Sequence, residues 1–112
     1  MTIDLRSDGV SKPSDGMLKA MLNARVGDDV FGDDPSVIEL QHYAAKLFGK
    51  EAGLFCPSGV MANQVALLAL AKPGNAYLCN EFTHTYYFET GGPASMNNIH
   101  AILCNHTNGI VN

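Results

Sequence analysis

The sequence predicts an α/β fold built on a mainly parallel sheet with helices on both faces. Three observations point there. Short apolar runs at 52–56, 76–80 and 99–104 alternate with helical patterns, the order that successive βα units impose. The stretch 59–71 is apolar nearly all round apart from Asn63 and Gln64, so its helix is covered on several sides. The run 52–56 stops at Pro57, and Ser58-Gly59 opens that helix at once. The first N–H groups of such a helix have no intrahelical partner, and its dipole adds partial positive charge there. That is the raw material of an anion site, most often a phosphate site.

Each element has its own local reason. Residues 3–6 read as a short extended piece, and Pro13-Ser14 starts a helix with Met17, Leu18, Met21 and Leu22 at helical spacing. Residues 26–35 form an acidic loop carrying Asp28, Asp29, Asp33 and Asp34. It lacks the spaced ligands and terminal Glu of a calcium loop and reads as solvated. Ser36-Val37-Ile38-Glu39 is a capping box. The following helix places Val37, Leu40, Ala44, Leu47 and Phe48 on one side and stops at Gly49. Next come a strand over 52–56, the helix 59–71, the stop Lys72-Pro73-Gly74, and a strand over 76–80. A short aromatic helix near 86–90 is broken by Gly91-Gly92-Pro93, a strand covers 99–104, and Asn108-Gly109 signals a turn. Residues 1–35 are thus read as an N-terminal arm, helix and acidic loop, and 36–112 as the start of the α/β domain. Three strands and about three helices leave a parallel sheet short of cover on both faces. The expectation is the front part of something larger.

Composition excludes several function classes. Of the 112 residues, 46% are hydrophobic and 16% charged, which suits an ordered core rather than disorder. The net charge of −4 and the absence of a Lys/Arg cluster argue against nucleic-acid binding. The longest apolar run, 65–71, is far short of the roughly 18–20 residues a membrane span needs. With no signal-type N-terminus and three widely spaced cysteines, Cys56, Cys79 and Cys104, the chain reads as cytoplasmic with buried, reduced thiols.

Three groups of residues offer chemistry. Ser58-Gly59 is the anion candidate; taken alone it reads as an ordinary Ser cap with no ligand. No Gly-Lys-Ser/Thr follows and the further glycines of a dinucleotide fingerprint are missing, so it is neither a Walker nor a nicotinamide loop. His84 follows the second strand, at the carboxyl edge where open α/β sheets bind ligands; the bland alternative is a solvated loop histidine. His100, Cys104 and His106 are metal-type residues without a standard zinc spacing, and no metal is expected.

Four blocks together resemble the low-specificity threonine aldolases of the β-eliminating lyase group. They are Asp4-Leu5-Arg6-Ser7-Asp8-Gly9-Val10-Ser11-Lys12-Pro13-Ser14; Val26-Gly27-Asp28-Asp29-Val30-Phe31-Gly32-Asp33-Asp34-Pro35; Phe48-Gly49-Lys50-Glu51-Ala52; and Pro57-Ser58-Gly59-Val60-Met61-Ala62-Asn63-Gln64, with His84 at a matching distance downstream. The resemblance implies the N-terminal portion of the aspartate-aminotransferase-like large domain and a pyridoxal 5'-phosphate cofactor. It implies cleavage of threonine or allo-threonine to glycine and acetaldehyde by dimers or tetramers with shared sites. By resemblance, Ser58, Gly59 and Val60 would hold the cofactor phosphate. His84 would be the catalytic side chain, stacked on the pyridine ring and near the substrate hydroxyl. Ser7 would help hold the substrate carboxylate, and Phe31 would reach toward the partner subunit's site.

The chain departs from the family pattern at Gly9 and Val60, where Thr is common, and at Phe31, where Tyr is common. Val60 keeps its backbone donor and loses a hydroxyl. A hydrogen bond to a charged group is worth about 1.5–3 kcal/mol, so the cofactor is expected to bind roughly ten-fold or more weaker. None of Lys12, Lys19, Lys46, Lys50 and Lys72 resembles the family's Schiff-base lysine, and neither Arg6 nor Arg25 matches its carboxylate-binding arginine. The 112 residues alone are therefore expected to be inactive. The competing readings are a non-catalytic truncated product that misfolds or associates with full-length subunits, and a stand-alone phosphate-binding module.

Overall fold

The computed structural model describes residues 3–111. Two compact units follow one another along the chain, Met1–Leu54 and Phe55–Asn112.

In the first unit, Ser14 is extended and its Oγ accepts the Met17 N–H at 3.3 Å, starting helix α1 (Asp15–Leu22) as the sequence predicts. The apolar stripe of α1 is solvent-exposed throughout. The acidic loop is exposed over residues 26–33, as expected of a solvated one, and its carboxylates also bind its own backbone. Asp28 N–H donates to Asp33 Oδ1 (2.6 Å), Val30 N–H to Asp28 Oδ1 (3.0 Å) and Gly27 N–H to Asp34 Oδ2 (3.0 Å). These bonds shape a 3₁₀ turn over Asp29–Phe31.

Asp34 then caps helix α2 (Pro35–Leu47), its Oδ1 accepting from Ser36 N–H (2.9 Å) and Val37 N–H (3.0 Å). The cap read at Ser36 lies two residues earlier, at Asp34. Pro35 occupies the first helical position, where a missing N–H costs nothing, and a carboxylate outcompetes a hydroxyl for two amides. Ser36 Oγ instead donates to the Arg25 carbonyl at 2.5 Å. The backbone N–H of Val37, then that of Gly27, hold the Asp34 carboxyl below its ordinary range. Helix α2 ends before Gly49, whose φ of 61° is left-handed. Residues 52–56 form no strand. A strand needs a neighbour to pair with, and here Gly53 runs so close to α2 that a Cβ on it would lie 2.8 Å from the Gln41 carbonyl oxygen.

The second unit carries the parallel sheet. Helix α3 (Gly59–Leu70) precedes strand β1 (Ala76–Cys79), which pairs in parallel with β2 (His100–Leu103), Ala76 facing His100 and Cys79 facing Leu103. Between them lie two short helices, α4 (His84–Tyr87) and α5 (Gly92–Asn97). The aromatic helix begins and ends earlier than the sequence predicts, and Gly91-Gly92-Pro93 is more than a break. Gly91-Gly92 does end one segment, but Pro93 lies in the first turn of α5, a position proline favours. Strands β3 (His106–Thr107) and β4 (Ile110–Val111) form a hairpin through Asn108 and Gly109, at φ 53° and 84°. Two left-handed residues in succession are what a two-residue hairpin turn needs.

The interior of this unit is as polar as it is apolar. Among the described residues its buried hydrophobic side chains are Cys79 (4% exposed) and Ile99 (2%), joined by Pro93, beside buried Gln64, Glu89 and Asn97. Burial pushes the Cys79 thiol above its ordinary value. Cys56 and Cys104 are only half-buried, which corrects the expectation that all three thiols are buried; all three are free. Among the described residues, no helix is long and apolar enough to cross a membrane.

Candidate functional site

The anion candidate is a real helix start. Ser58 is extended (φ −147°, ψ 153°) and its Oγ accepts the Met61 N–H at 3.1 Å, while the Ala62 N–H reaches the Ser58 carbonyl at 3.0 Å. Gly59 and Val60 are the first two residues of α3, so helix geometry offers their N–H groups no partner. A Cβ on Gly59 would meet nothing within 4 Å. The side of Gly59 on which a Cβ would stand is therefore open. An apolar cleft of about 410 Å³ begins at the same place, lined by Ser58, Val60, Met61 and Gln64 of α3 and Met96 of α5.

His84 opens α4, and its ring is tied to α3 through one buried carboxylate. Its Nδ1 lies 2.9 Å from Glu89 Oε1, which also accepts from Asn63 Nδ2 at 2.6 Å. Gln64 Nε2 donates to Glu89 Oε2 at 2.5 Å. Asn97 Nδ2 donates to both the carbonyl and the Oε1 of Gln64, each at 3.1 Å, which fixes the Gln64 amide with its NH₂ toward Glu89. The Glu89 side chain is fully buried, whereas that of His84 is 61% exposed. One side of the imidazole leans on Phe88, with ring centroids 5.3 Å apart.

Sequence reading missed Glu89 entirely. The one signal near it is the Gly91-Gly92 pair. Thr90 and Gly91 adopt φ of 49° and 73°, and Gly92 lies so close to Gln64 that a Cβ would come within 3.0 Å of its Nε2. Small residues there let the chain turn back onto α3.

Burial alone pushes the Glu89 carboxyl up, but the hydrogen bonds from Asn63, His84 and Gln64 outweigh it and leave the group below its ordinary value. The network then contributes stability that is fully present above the ordinary glutamate range and is lost as pH falls through the depressed folded value. Acid unfolding of this unit, followed by near-ultraviolet circular dichroism, is expected to begin below that range. Glu89→Gln is expected to make the acid limb shallower; an equally steep limb would contradict the assignment.

The other candidates belong to other segments of the chain. Ser7 and Phe31 belong to the first unit. Ser7 Oγ accepts the Gly9 N–H at 3.1 Å, and Phe31 is 80% exposed at the end of its 3₁₀ turn. His106 is committed on both ring nitrogens, Nε2 to Glu81 Oε2 at 3.1 Å and Nδ1 to the Gly109 N–H at 3.2 Å. Among the described residues no group of three or more His, Cys, Asp or Glu is arranged to hold a metal ion.

The family model described as beta-eliminating lyase matches residues 4–112. The chain is 55% identical over 97 residues to the low specificity L-threonine aldolase of Escherichia coli (strain K12), covering 87% of this chain and 29% of that protein. It is 41% identical over 100 residues to a probable low-specificity L-threonine aldolase 2 of Arabidopsis thaliana, covering 88% and 28%. Against the low specificity L-threonine aldolase of Saccharomyces cerevisiae it is 38% identical over 107 residues, covering 95% and 28%. The chain thus spans under a third of the length of these relatives.

Proposed function

The chain belongs to the beta-eliminating lyase family, and from that premise we propose that it supplies the phosphate cup and one catalytic side chain of a threonine-aldolase-like lyase. The reaction would cleave L-threonine or L-allo-threonine to glycine and acetaldehyde. The observation that carries this reading is the bridge through Glu89. It ties His84 to Asn63 and Gln64, one turn along the same helix whose N-terminus is the anion candidate. Two features found separately in the sequence are therefore tied to one helix.

The residues fit pyridoxal phosphate. Gly59 and Val60 N–H groups, with the positive end of the α3 dipole, would hold the phosphate. Ser58 Oγ accepts from Met61 and keeps its own O–H free to donate to the same group. When bound, the cofactor supplies the electron sink that lets the Cα–Cβ bond of a β-hydroxy-α-amino acid break. His84 offers one imidazole face for stacking, the other being against Phe88. Its Nε2 would take the proton of the substrate hydroxyl as the aldehyde carbonyl forms. Ser7 would bind the substrate carboxylate and Phe31 would serve a neighbouring subunit's site, in a dimer or tetramer; the family resemblance supports both roles. Solubility in the cytoplasm fits the composition.

The test is a chimera in which residues 1–112 replace the matching segment of the E. coli relative. Loaded with pyridoxal phosphate, it is expected to release glycine and acetaldehyde from either threonine isomer. Val60→Thr, which adds a hydroxyl beside the phosphate, is expected to tighten cofactor binding about ten-fold, read by equilibrium titration. A folded, loaded chimera that releases no glycine would contradict the proposal.

A further inference from the structure

We infer that Glu89 is a positioning residue, whose buried carboxylate fixes the tautomer and orientation of His84 so that Nε2 presents its lone pair to the reacting substrate. The inference rests on the aldolase reading for the reaction, and on geometry alone for the hold on the ring.

Three features of Glu89 lead there. First, its carboxylate accepts three side-chain hydrogen bonds, and two of the donors, the Asn63 and Gln64 amides, are neutral. A carboxylate so surrounded is an acceptor only. The proton between it and His84 therefore belongs to Nδ1, and in the neutral ring Nε2 is the bare nitrogen. Second, the acceptor cannot turn away. Asn97 locks Gln64, Gln64 locks Oε2, and among the described residues no buried side-chain N or O lacks a hydrogen-bond partner. Third, the backbone is bent to aim this side chain. Thr90 is β-branched yet sits at φ 49°, followed by Gly91 at 73°. A β-branched residue in the left-handed region is a strained choice, and such strain persists only where surrounding contacts over-determine it.

A structural keystone alone would need an acceptor here, but not a histidine as one of its donors. His84 is mostly exposed, so the bond from Nδ1 is unnecessary for satisfying a buried group on the histidine side. What it does accomplish is to choose which nitrogen faces outward. An amide in place of the carboxylate keeps the shape and reverses that choice: its oxygen is held by the Gln64 NH₂ that Asn97 locks, so its own NH₂ faces Nδ1 and drives the proton to Nε2, leaving the outward nitrogen without a lone pair.

Selective ¹⁵N-histidine labelling tests this in the chain itself, with the His84 ring assigned by its disappearance in His84→Asn. The neutral wild-type ring is expected to carry its proton on Nδ1, and Glu89→Gln to move it to Nε2. In the threonine-cleaving chimera the same variant is expected to lower kcat about 10- to 100-fold with KM little changed. A wild-type ring protonated on Nε2 overturns the inference whether or not any variant folds, as does an unchanged tautomer in Glu89→Gln. An Nδ1–H ring in the chain together with a loaded chimera that cleaves nothing would leave the hold on His84 standing and remove the aldolase reading instead.

Discussion

Glu89→Ala is expected to destabilise the second unit by about 2–4 kcal/mol, the scale of leaving two neutral amide donors without their acceptor. The substitution strips the acceptor from Asn63 Nδ2, Gln64 Nε2 and His84 Nδ1 at once. Each donor left buried and unpaired costs about 1–3 kcal/mol. His84 escapes that cost because its ring reaches solvent, so the burden falls mainly on buried Gln64 and in part on half-buried Asn63. The loss is large for this unit, whose buried apolar side chains amount to little more than Cys79, Ile99 and Pro93. Native domains have about 5–15 kcal/mol in total, so the unit is expected to populate unfolded forms near room temperature. Urea unfolding followed by circular dichroism at neutral pH checks this. Glu89→Gln, which keeps the volume and one acceptor oxygen, is expected to lose clearly less.

The 112 residues on their own are expected to release no glycine from L-allo-threonine above the rate of free pyridoxal phosphate. The chimera is expected to exceed them by about 10⁶-fold or more, the scale that separates enzymes from uncatalysed reactions. Pyridoxal catalysis needs a lysine to tether the cofactor. Lys72 is the lysine of the second unit, and it follows the C-terminal end of α3. At 1.5 Å per residue that end is about 18 Å from the anion cup, beyond the reach of one side chain. Lys12, Lys19, Lys46 and Lys50 belong to the first unit, before or within α1 and α2 or just after them. A discontinuous assay for glycine over hours decides the matter, and sustained release by the isolated chain would show that one of these five lysines suffices.

Where local chemistry decides conformation, the sequence was legible. Ser14 and Ser58 cap the helices they were read to cap, because a hydroxyl three residues before a free amide is a local arrangement. Asn108-Gly109 turns a hairpin because both residues tolerate positive φ. The parallel pairing of β1 and β2 follows from the helical segments between them. Where two local signals compete, reading fell short. Asp34-Pro35 outbids Ser36 for the start of α2, and the apolar run 52–56 finds no strand to pair with. The centre of the candidate site was illegible for a further reason. Glu89 sits among aromatic residues and glycines with no periodicity to mark it as buried, and its partners are 25 and 26 residues away on α3. Its burial depends on the left-handed turn at Thr90-Gly91, and no residue type at position 89 announces that.

One helix, α3, carries both the proposed phosphate cup and the anchor of His84. Titrating the ¹⁵N-labelled chain with pyridoxamine 5'-phosphate addresses this most directly, since an amine forms no imine with surface lysines. The backbone amides of Gly59 and Val60 and the ring of His84 are expected to shift together and saturate with one midpoint, while Ser58→Asp, which places a negative charge at the cup, abolishes all three shifts. Saturating shifts confined to other residues, or none at Gly59 and Val60 at millimolar ligand, would contradict the account.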